Sequence, residues 1–330
     1  MAVRSLPLRS RAPGRRRARG TRARRDARAG LTLVSPTVIV ILVMVVLPVL
    51  WAVALSFHRI RLSGIRNADL IGGEWTTRNY DLLFSSQGFL EAIRTTLYFS
   101  VFGTLGAIGL GLAAALLVRH RFRGRGIVRG VMLLPWVAPV VAITFVWEVL
   151  LSPQLGFVNA VGTSVLGWDQ PIPFLSQERG DVTVFGLTLG VPTALLVVIA
   201  FEAWRTFPFA FLFILARLQA VSPELEEAAK VDGAAPSQIF RHIILPQISG
   251  VIAVLAVLRF IFTFNEFDEI WLLTGGGAGT EVLATQVYSY LTARNDVGSA
   301  AAVATFMAAV LVVLLLIYAK LASGREEAAR

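Results

Sequence analysis

Glu227-Ala-Ala-Lys-Val-Asp-Gly-Ala-Ala-Pro-Ser-Gln-Ile-Phe-Arg-His-Ile-Ile-Leu-Pro246 is a polar, punctuated stretch inside an otherwise apolar chain. Just upstream, Ser222-Pro223-Glu224 reads as a helix start, with Ser as N-cap, Pro at the first helical position and an acid near the positive end of the dipole. Leu225 to Lys230 supply one or two turns. Asp232-Gly233 then breaks the helix, because glycine adopts φ > 0 at low cost and aspartate bonds readily to nearby backbone. Pro236 starts a second short helix, expected to end before Pro246. Two short helices at an angle make a compact knob, and Ala228, Ala229, Ala234 and Ala235 are small enough to let another surface approach closely.

Around this island the chain is built for lipid. Of its 330 residues 55% are hydrophobic and the mean hydropathy is +0.68, too apolar for a soluble domain of this length. The net charge of +10 is local: residues 1–30 hold eleven arginines and one aspartate, 11 − 1 = +10, and the remainder balances at 20 basic against 20 acidic residues. A segment of Arg with Gly, Ala and Pro cannot bury a core, so residues 1–30 are expected to form a disordered cytoplasmic tail near anionic lipid headgroups. Nucleic-acid binding is the alternative, disfavoured because the tail lacks the aromatic side chains on which single strands stack. There is no cysteine, which excludes disulfides, iron–sulfur clusters and Cys-based zinc sites. His58, His120 and His242 are dispersed, so neither a metal nor a cofactor is expected.

Apolar runs long enough to cross a bilayer, about 20 residues each, occur at Val34 to Phe57, Ile93 to Val118, Val128 to Leu151, Val184 to Leu218, Ile248 to Leu273 and Ser299 to Leu321. The expected fold is an all-α polytopic membrane protein with six transmembrane helices. The first run exceeds the 7 to 15 residues of a signal-peptide core and reads as a retained helix. Arg119, His120, Arg121, Arg123, Arg125 and Arg129 follow the second run, whereas Glu266, Asp268, Glu269, Glu281 and Asp296 follow the fifth. The positive-inside rule therefore places both termini, the last stretch 323–330 and the segment 222–246 in the cytosol.

The fourth run carries Glu202, Arg205 and Pro208, and at about 35 residues it reads as an over-long, kinked helix. Glu202 and Arg205, three residues apart, share a face near mid-membrane. Charges at that depth face a bundle interior or a wet cavity, so they mark either a substrate route or a structural ion pair. Arg259 and Glu266, seven apart, share a face on the fifth run beside Phe262 and Asn265. Hydrogen-bonding groups beside aromatic faces on these two runs make Glu202, Arg205, Thr206, Phe209, Phe262, Asn265 and Glu266 the candidate substrate pathway. Thr274-Gly-Gly-Gly277 should turn the chain sharply at the outer surface, ahead of an interfacial helix over Val282 to Leu291.

Glu227-Ala-Ala-x-x-Asp-Gly-Ala followed by Phe240, Ile243 and Leu245-Pro246 resembles the EAA motif of permease subunits in bacterial ABC importers. Leu134-Pro-Trp136, Trp204-Arg-Thr-Phe-Pro208, Leu218-Gln219, Asn265-Glu-Phe-Asp268 and Leu273-Thr-Gly-Gly-Gly277 are similar to the carbohydrate-importer branch, and the last two to its first permease. The resemblance covers roughly residues 30–322. It implies a type I ABC importer permease domain over 31–322 with cytoplasmic coupling helices at 222–246. The partners it implies are a second permease in a heterodimer, a cytosolic ATPase dimer, an extracytoplasmic solute-binding protein, a sugar and membrane lipid, with no nucleic acid. It also implies that Glu227 pairs with an ATPase arginine, that Asp232 and Gly233 form the turn, and that Ala228, Ala229, Ala234 and Pro246 complete the docking surface. The family presents neutral polar groups where this chain has Glu202 and Arg205, which keeps glycerol phosphate or a related polar solute open as substrate.

Independently, the only lysines are Lys230 and Lys320, and neither follows a Gly-x-x-x-x-Gly pattern, so the chain has no Walker A loop. A non-catalytic subunit driven by a separate ATPase is expected. A self-sufficient secondary carrier is the rival class, and it would show repeats and coupling-ion residues within its spans.

Overall fold

The computed structural model describes residues 30, 32–67, 73–184 and 187–328. Apart from Gly30, the Arg-rich tail lies outside the described residues, as do residues 329–330. The chain divides into two units, residues 1–54 and 55–330. In the first, helix α1 (Thr32–Ser56) starts and crosses the boundary; it is apolar without interruption from Val38 to Leu55 and opens into a π turn at Leu42–Val46.

In the second unit the helices are α2 (Arg78–Ser85), α3 (Gln87–Leu117), α4 (Arg125–Val137), α5 (Val140–Leu151) and α6 (Phe157–Ser164). A hairpin of β1 (Gly180–Val184) and β2 (Leu187–Val191) follows, antiparallel with Gly180 opposite Val191. Beyond it come α7 (Thr193–Leu218), α8 (Pro223–Val231), α9 (Pro236–Phe264), α10 (Asp268–Thr274), α11 (Leu283–Thr292) and α12 (Val297–Ala328).

Five of these, α1, α3, α7, α9 and α12, are long and apolar enough to cross a membrane. The third run is not one straight span: α4 and α5 meet at 96°. Ala138 precedes Pro139 and is extended, with ψ 143°, as the clash with a following proline ring demands, so the helix cannot continue. The fourth run is shorter than its apolar length suggests. Val184 and Leu187–Val191 belong to the hairpin strands, leaving α7 with 26 residues. At the C-terminus the helix continues past residue 322 to Ala328, so the expected tail is largely a helical extension.

The packing centre is the α3–α7 pair. Gly103 and Gly111 of α3 allow the approach: a Cβ on Gly111 would lie 2.8 Å from the Ala210 Cβ and from the Phe211 nitrogen. Small residues at such crossings bring backbones together where lipid supplies no hydrophobic drive. One apolar core joins Ile108 and Ala115 of α3 to Phe211 and Ile214 of α7 and Ile248 of α9. A second gathers Leu83, Phe89, Phe264, Leu283 and Val303, and a third Phe99, Val198, Phe201, Ile270 and Val282.

Candidate functional site

The first half of the segment 222–246 keeps the punctuation read from its sequence. Helix α8 begins at Pro223, and Ser222 has the extended backbone of an N-cap. The Ser222 hydroxyl bonds to the Glu224 carboxylate instead of capping an amide, so the acid takes the hydroxyl the cap was expected to use. The helix closes through backbone: the Asp232 N–H donates to Ala228 O (3.0 Å) and the Ala234 N–H to Ala229 O (2.9 Å), with Gly233 at φ +80°. Glu227 and Ala228 are exposed, while Ala229 and Ala234 pack against the first core. The small side chains therefore seat the knob, and Glu227 stays open to a partner.

The second helix does not stop before Pro246. Pro236 opens α9, which passes through a π turn at Phe240–Ile244 and continues to Phe264. The Leu245 N–H bonds to Phe240 O, five residues back, just before the proline whose missing N–H would otherwise leave a gap in the ladder. The π turn of α1 is built the same way: the Leu47 N–H bonds to Leu42 O, and Pro48 is next in the chain. In both helices a Leu-Pro step is absorbed without a break.

A tie missed by sequence reasoning fixes α8 from the side. Arg119, just past the end of α3, donates two bonds of 2.9 Å to the two carboxylate oxygens of Glu226. Its neighbour Arg125 donates to the carbonyls of Val118 (2.7 Å) and Arg119 (3.0 Å), covering the C-terminal end of α3. Arg119 and Glu226 stand 107 positions apart, beyond any local spacing rule.

Within the spans, Glu202 and Arg205 share a helix but bond to different neighbours. Glu202 is fully buried and paired with Arg259 of α9. Thr263 Oγ1 also donates to Glu202 Oε1 at 2.8 Å, and Thr206 Oγ1 donates to the Glu202 carbonyl at 2.7 Å. Arg205, about one-fifth exposed, pairs with Glu269 of α10 and lies 3.6 Å from Glu266. Arg259 and Glu266 do not continue one helical face, because α9 ends at Phe264 with Asn265 as its C-cap. The Asn265 amide turns back onto the Ile261 carbonyl (2.8 Å). Glu269, read from sequence as an outer-loop charge, is wholly buried.

Carboxylate oxygens of Glu202, Glu266 and Glu269 lie within 4.8 Å of one another, the spacing of a cation site. Here two guanidiniums sit on them and supply the positive charge, giving a formal sum of +2 − 3 = −1. An aromatic row draws on α4, α7 and α9: Phe209 stands 5.9 Å from Trp136, 4.9 Å from Phe213 and 6.5 Å from Phe262 between ring centroids. Trp136, Phe213 and Phe262 are exposed, so the row presents ring faces outward from this chain.

At the far end of α7 from α8, a cleft of about 600 Å³ is bounded by Glu91, Arg94, Glu178, Arg179, Glu281 and the glycine turn after α10. Gly275, Gly276 and Gly279 all have positive φ in that turn, and Thr274 and Thr280 close it through a 2.6 Å hydroxyl pair. Burial pushes the Glu281 carboxyl above the ordinary glutamate range, with Arg294 opposing and Glu91 adding to the shift.

Residues 107–326 match the family described as binding-protein-dependent transport system inner membrane component. The chain is 30% identical over 310 residues to the trehalose/maltose transport system permease protein MalF of Thermococcus litoralis, covering 92% of this chain and 96% of that one. It is 28% identical over 309 residues to the trehalose transport system permease protein SugA of Mycobacterium tuberculosis, covering 92% and 93%. Among solved structures, a bacterial ABC transporter involved in import of the acidic polysaccharide alginate superposes with a TM-score of 0.73 at 25% identity, covering 91% of this chain and 98% of that one. A bacterial alginate ABC transporter in complex with an alginate pentasaccharide-bound periplasmic protein gives 0.71 at 26% identity, covering 90% and 94%.

Proposed function

Because the chain belongs to the inner membrane components of binding-protein-dependent transport systems, we propose that it forms half of a sugar path, paired with a second permease and driven by a separate ATPase. The observation that carries this reading is the knob at α8: an exposed Glu227 on a short helix that Ala229, with Ala234 of the following turn, seats on the core. A chain without a P-loop needs a surface through which another chain moves it, and α8 is formed for that contact. Both termini and the α8 face are assigned to the cytosol by the arginines after α3. The cleft beside Glu91 and Glu281, at the other end of α7, is the surface offered to the binding protein.

A sugar fits the pathway better than an anion. Both guanidiniums are already engaged by carboxylates, so neither is free to receive a phosphate ester. The exposed rings beside Phe209 supply the flat apolar faces on which sugar rings stack, and relatives named for trehalose and maltose transport point the same way. Arg205, Thr206, Phe209, Phe262, Asn265 and Glu266 line or support this path; Glu202 acts through its pairing with Arg259.

The test is uptake of a trehalose- or maltose-type sugar by the whole complex in proteoliposomes. Glu227→Arg should abolish uptake while the complex still forms, with ATP hydrolysis freed from stimulation by the loaded binding protein. Undiminished uptake in that variant, or uptake without the ATPase, would sink the reading.

A further inference from the structure

Beside the knob lies a cleft of about 550 Å³ whose walls are Arg119, His120, Arg121, Arg125, Arg129 and Lys230, with Glu226 and Glu227 the acids. The positive charge is not spent internally. Glu226 is taken by both terminal nitrogens of Arg119, leaving Arg121, Arg125, Arg129 and Lys230 against Glu227, a formal +4 − 1 = +3. Arg125 uses its donors on carbonyls, which carry no compensating charge. The Arg129 Nε is buried and has no hydrogen-bond partner among the described residues. Such a donor loses water without gaining an acceptor, at a cost that a bound anion would remove.

The depth of the cleft names the source of that anion. It lies where α3 ends and α4 begins, at the boundary of two segments that are apolar enough for the bilayer. The arginines alternate along the chain with exposed apolar side chains: Leu117 (72% exposed) precedes Arg119, Phe122 sits between Arg121 and Arg123, and Ile127 (76% exposed) between Arg125 and Arg129. A soluble anion needs only the basic floor. A basic floor on a segment whose chain neighbours Leu117, Phe122 and Ile127 are exposed and apolar suits a ligand that is charged at one end and hydrocarbon at the other.

We propose that this cleft binds the phosphodiester headgroup of an anionic phospholipid, with the acyl chains lying along Leu117, Phe122 and Ile127. Arginine suits this role because its planar fork presents several donors to phosphate oxygens at once. The lipid would wedge between the start of α4 and the base of α8, at the element assigned to energy coupling. The inference rests on membrane insertion and not on the identity of the transported solute.

The experiment uses the full transport complex, delipidated in detergent and titrated with dioleoyl-phosphatidylglycerol or dioleoyl-phosphatidylcholine while native mass spectrometry counts retained lipid. Phosphatidylglycerol should be held preferentially. Arg121→Gln, at an exposed position that leaves the fold alone, should weaken it roughly five-fold, and Arg121→Gln with Arg129→Gln roughly thirty-fold. Arg123→Gln, an exposed arginine outside the cleft, should change nothing. Equal retention of the two lipids, or equal losses from Arg123→Gln and Arg121→Gln, would overturn the proposal. Glycerol phosphate binding as tightly as the lipid would assign the cleft to a free anion and overturn it too. Lipid retained only when the ATPase is absent would give the cleft to the ATPase surface and overturn it as well.

Discussion

Of the Glu–Arg ties that hold the helices of this permease, two stand in contrasting surroundings. Glu202–Arg259 joins α7 to α9 inside the bundle, with side chains 0% and 7% exposed; Arg119–Glu226 joins the end of α3 to α8 at the bilayer edge, with 20% and 14% exposed. The first is supported by the Thr263 hydroxyl and sealed from solvent, whereas the second has bidentate geometry and a partly open surface. Burial makes a pair expensive to break without making it stabilising overall, while exposure leaves a pair cheap to break and useful for setting position.

The largest effect expected of that contrast is at Glu202. Glu202→Ala strands the Arg259 charge inside the bundle and should cost about 3–5 kcal/mol, read as loss of folded complex on thermal unfolding in detergent. Replacing both partners, Glu202→Leu with Arg259→Met, should recover most of the loss, because an apolar pair of similar volume needs no counter-charge. If the single variant is as stable as the parent, Glu202 is not held as described and returns to the substrate path.

A smaller loss is expected at Gly111, which bears on the helix pair that frames the buried tie. Gly111→Leu drives a side chain into Ala210 and the backbone of Phe211. Overpacking of this kind costs about 1–3 kcal/mol, and the same thermal assay reads it. An unchanged melting temperature would mean that α3 and α7 separate more easily than the lack of room for a Cβ at Gly111 implies.

The smallest change in stability belongs to the outer tie. Arg119→Ala removes a bidentate, partly open pair and should cost less than the buried one, about 1 kcal/mol, yet it frees α8 to shift on its seat. Sugar uptake per ATP hydrolysed should fall, and exchanging the charges, Arg119→Glu with Glu226→Arg, should restore part of it. A stability loss as large as that of Glu202→Ala would erase the distinction between the two ties.

What could be read from the chain alone follows the range of the forces involved. The turn at Asp232-Gly233, the start at Pro223 and the glycine turn after Thr274 are local backbone choices, and all are legible in neighbouring residues. Ala138-Pro139 and the hairpin were equally local, but apolar content masked them: Val182-Thr-Val184 and Leu187-Thr-Leu189 alternate with a strand's period beside and within a run that hydropathy assigns to one helix. Pro246 misled in the other direction, since a π turn absorbs the missing donor. The partners of Glu202, Arg205 and Glu226 lie 57, 64 and 107 positions away, and helical periodicity says which residues share a face without saying which face they meet.

The π turn at Phe240–Ile244 also sets a mechanical scale. By keeping Pro236–Phe264 continuous, it makes a lever of 29 residues, about 44 Å at 1.5 Å per residue. One end of the lever lies at the turn after α8; Arg259 grips Glu202 near the other. A tilt of about 5° pivoting at one end of a rod of that length sweeps the opposite end through ~4 Å, more than the diameter of a water molecule. A displacement too small to disturb the knob's own packing is thus magnified, by length alone, into an opening on the scale of a solvated sugar's hydroxyl groups.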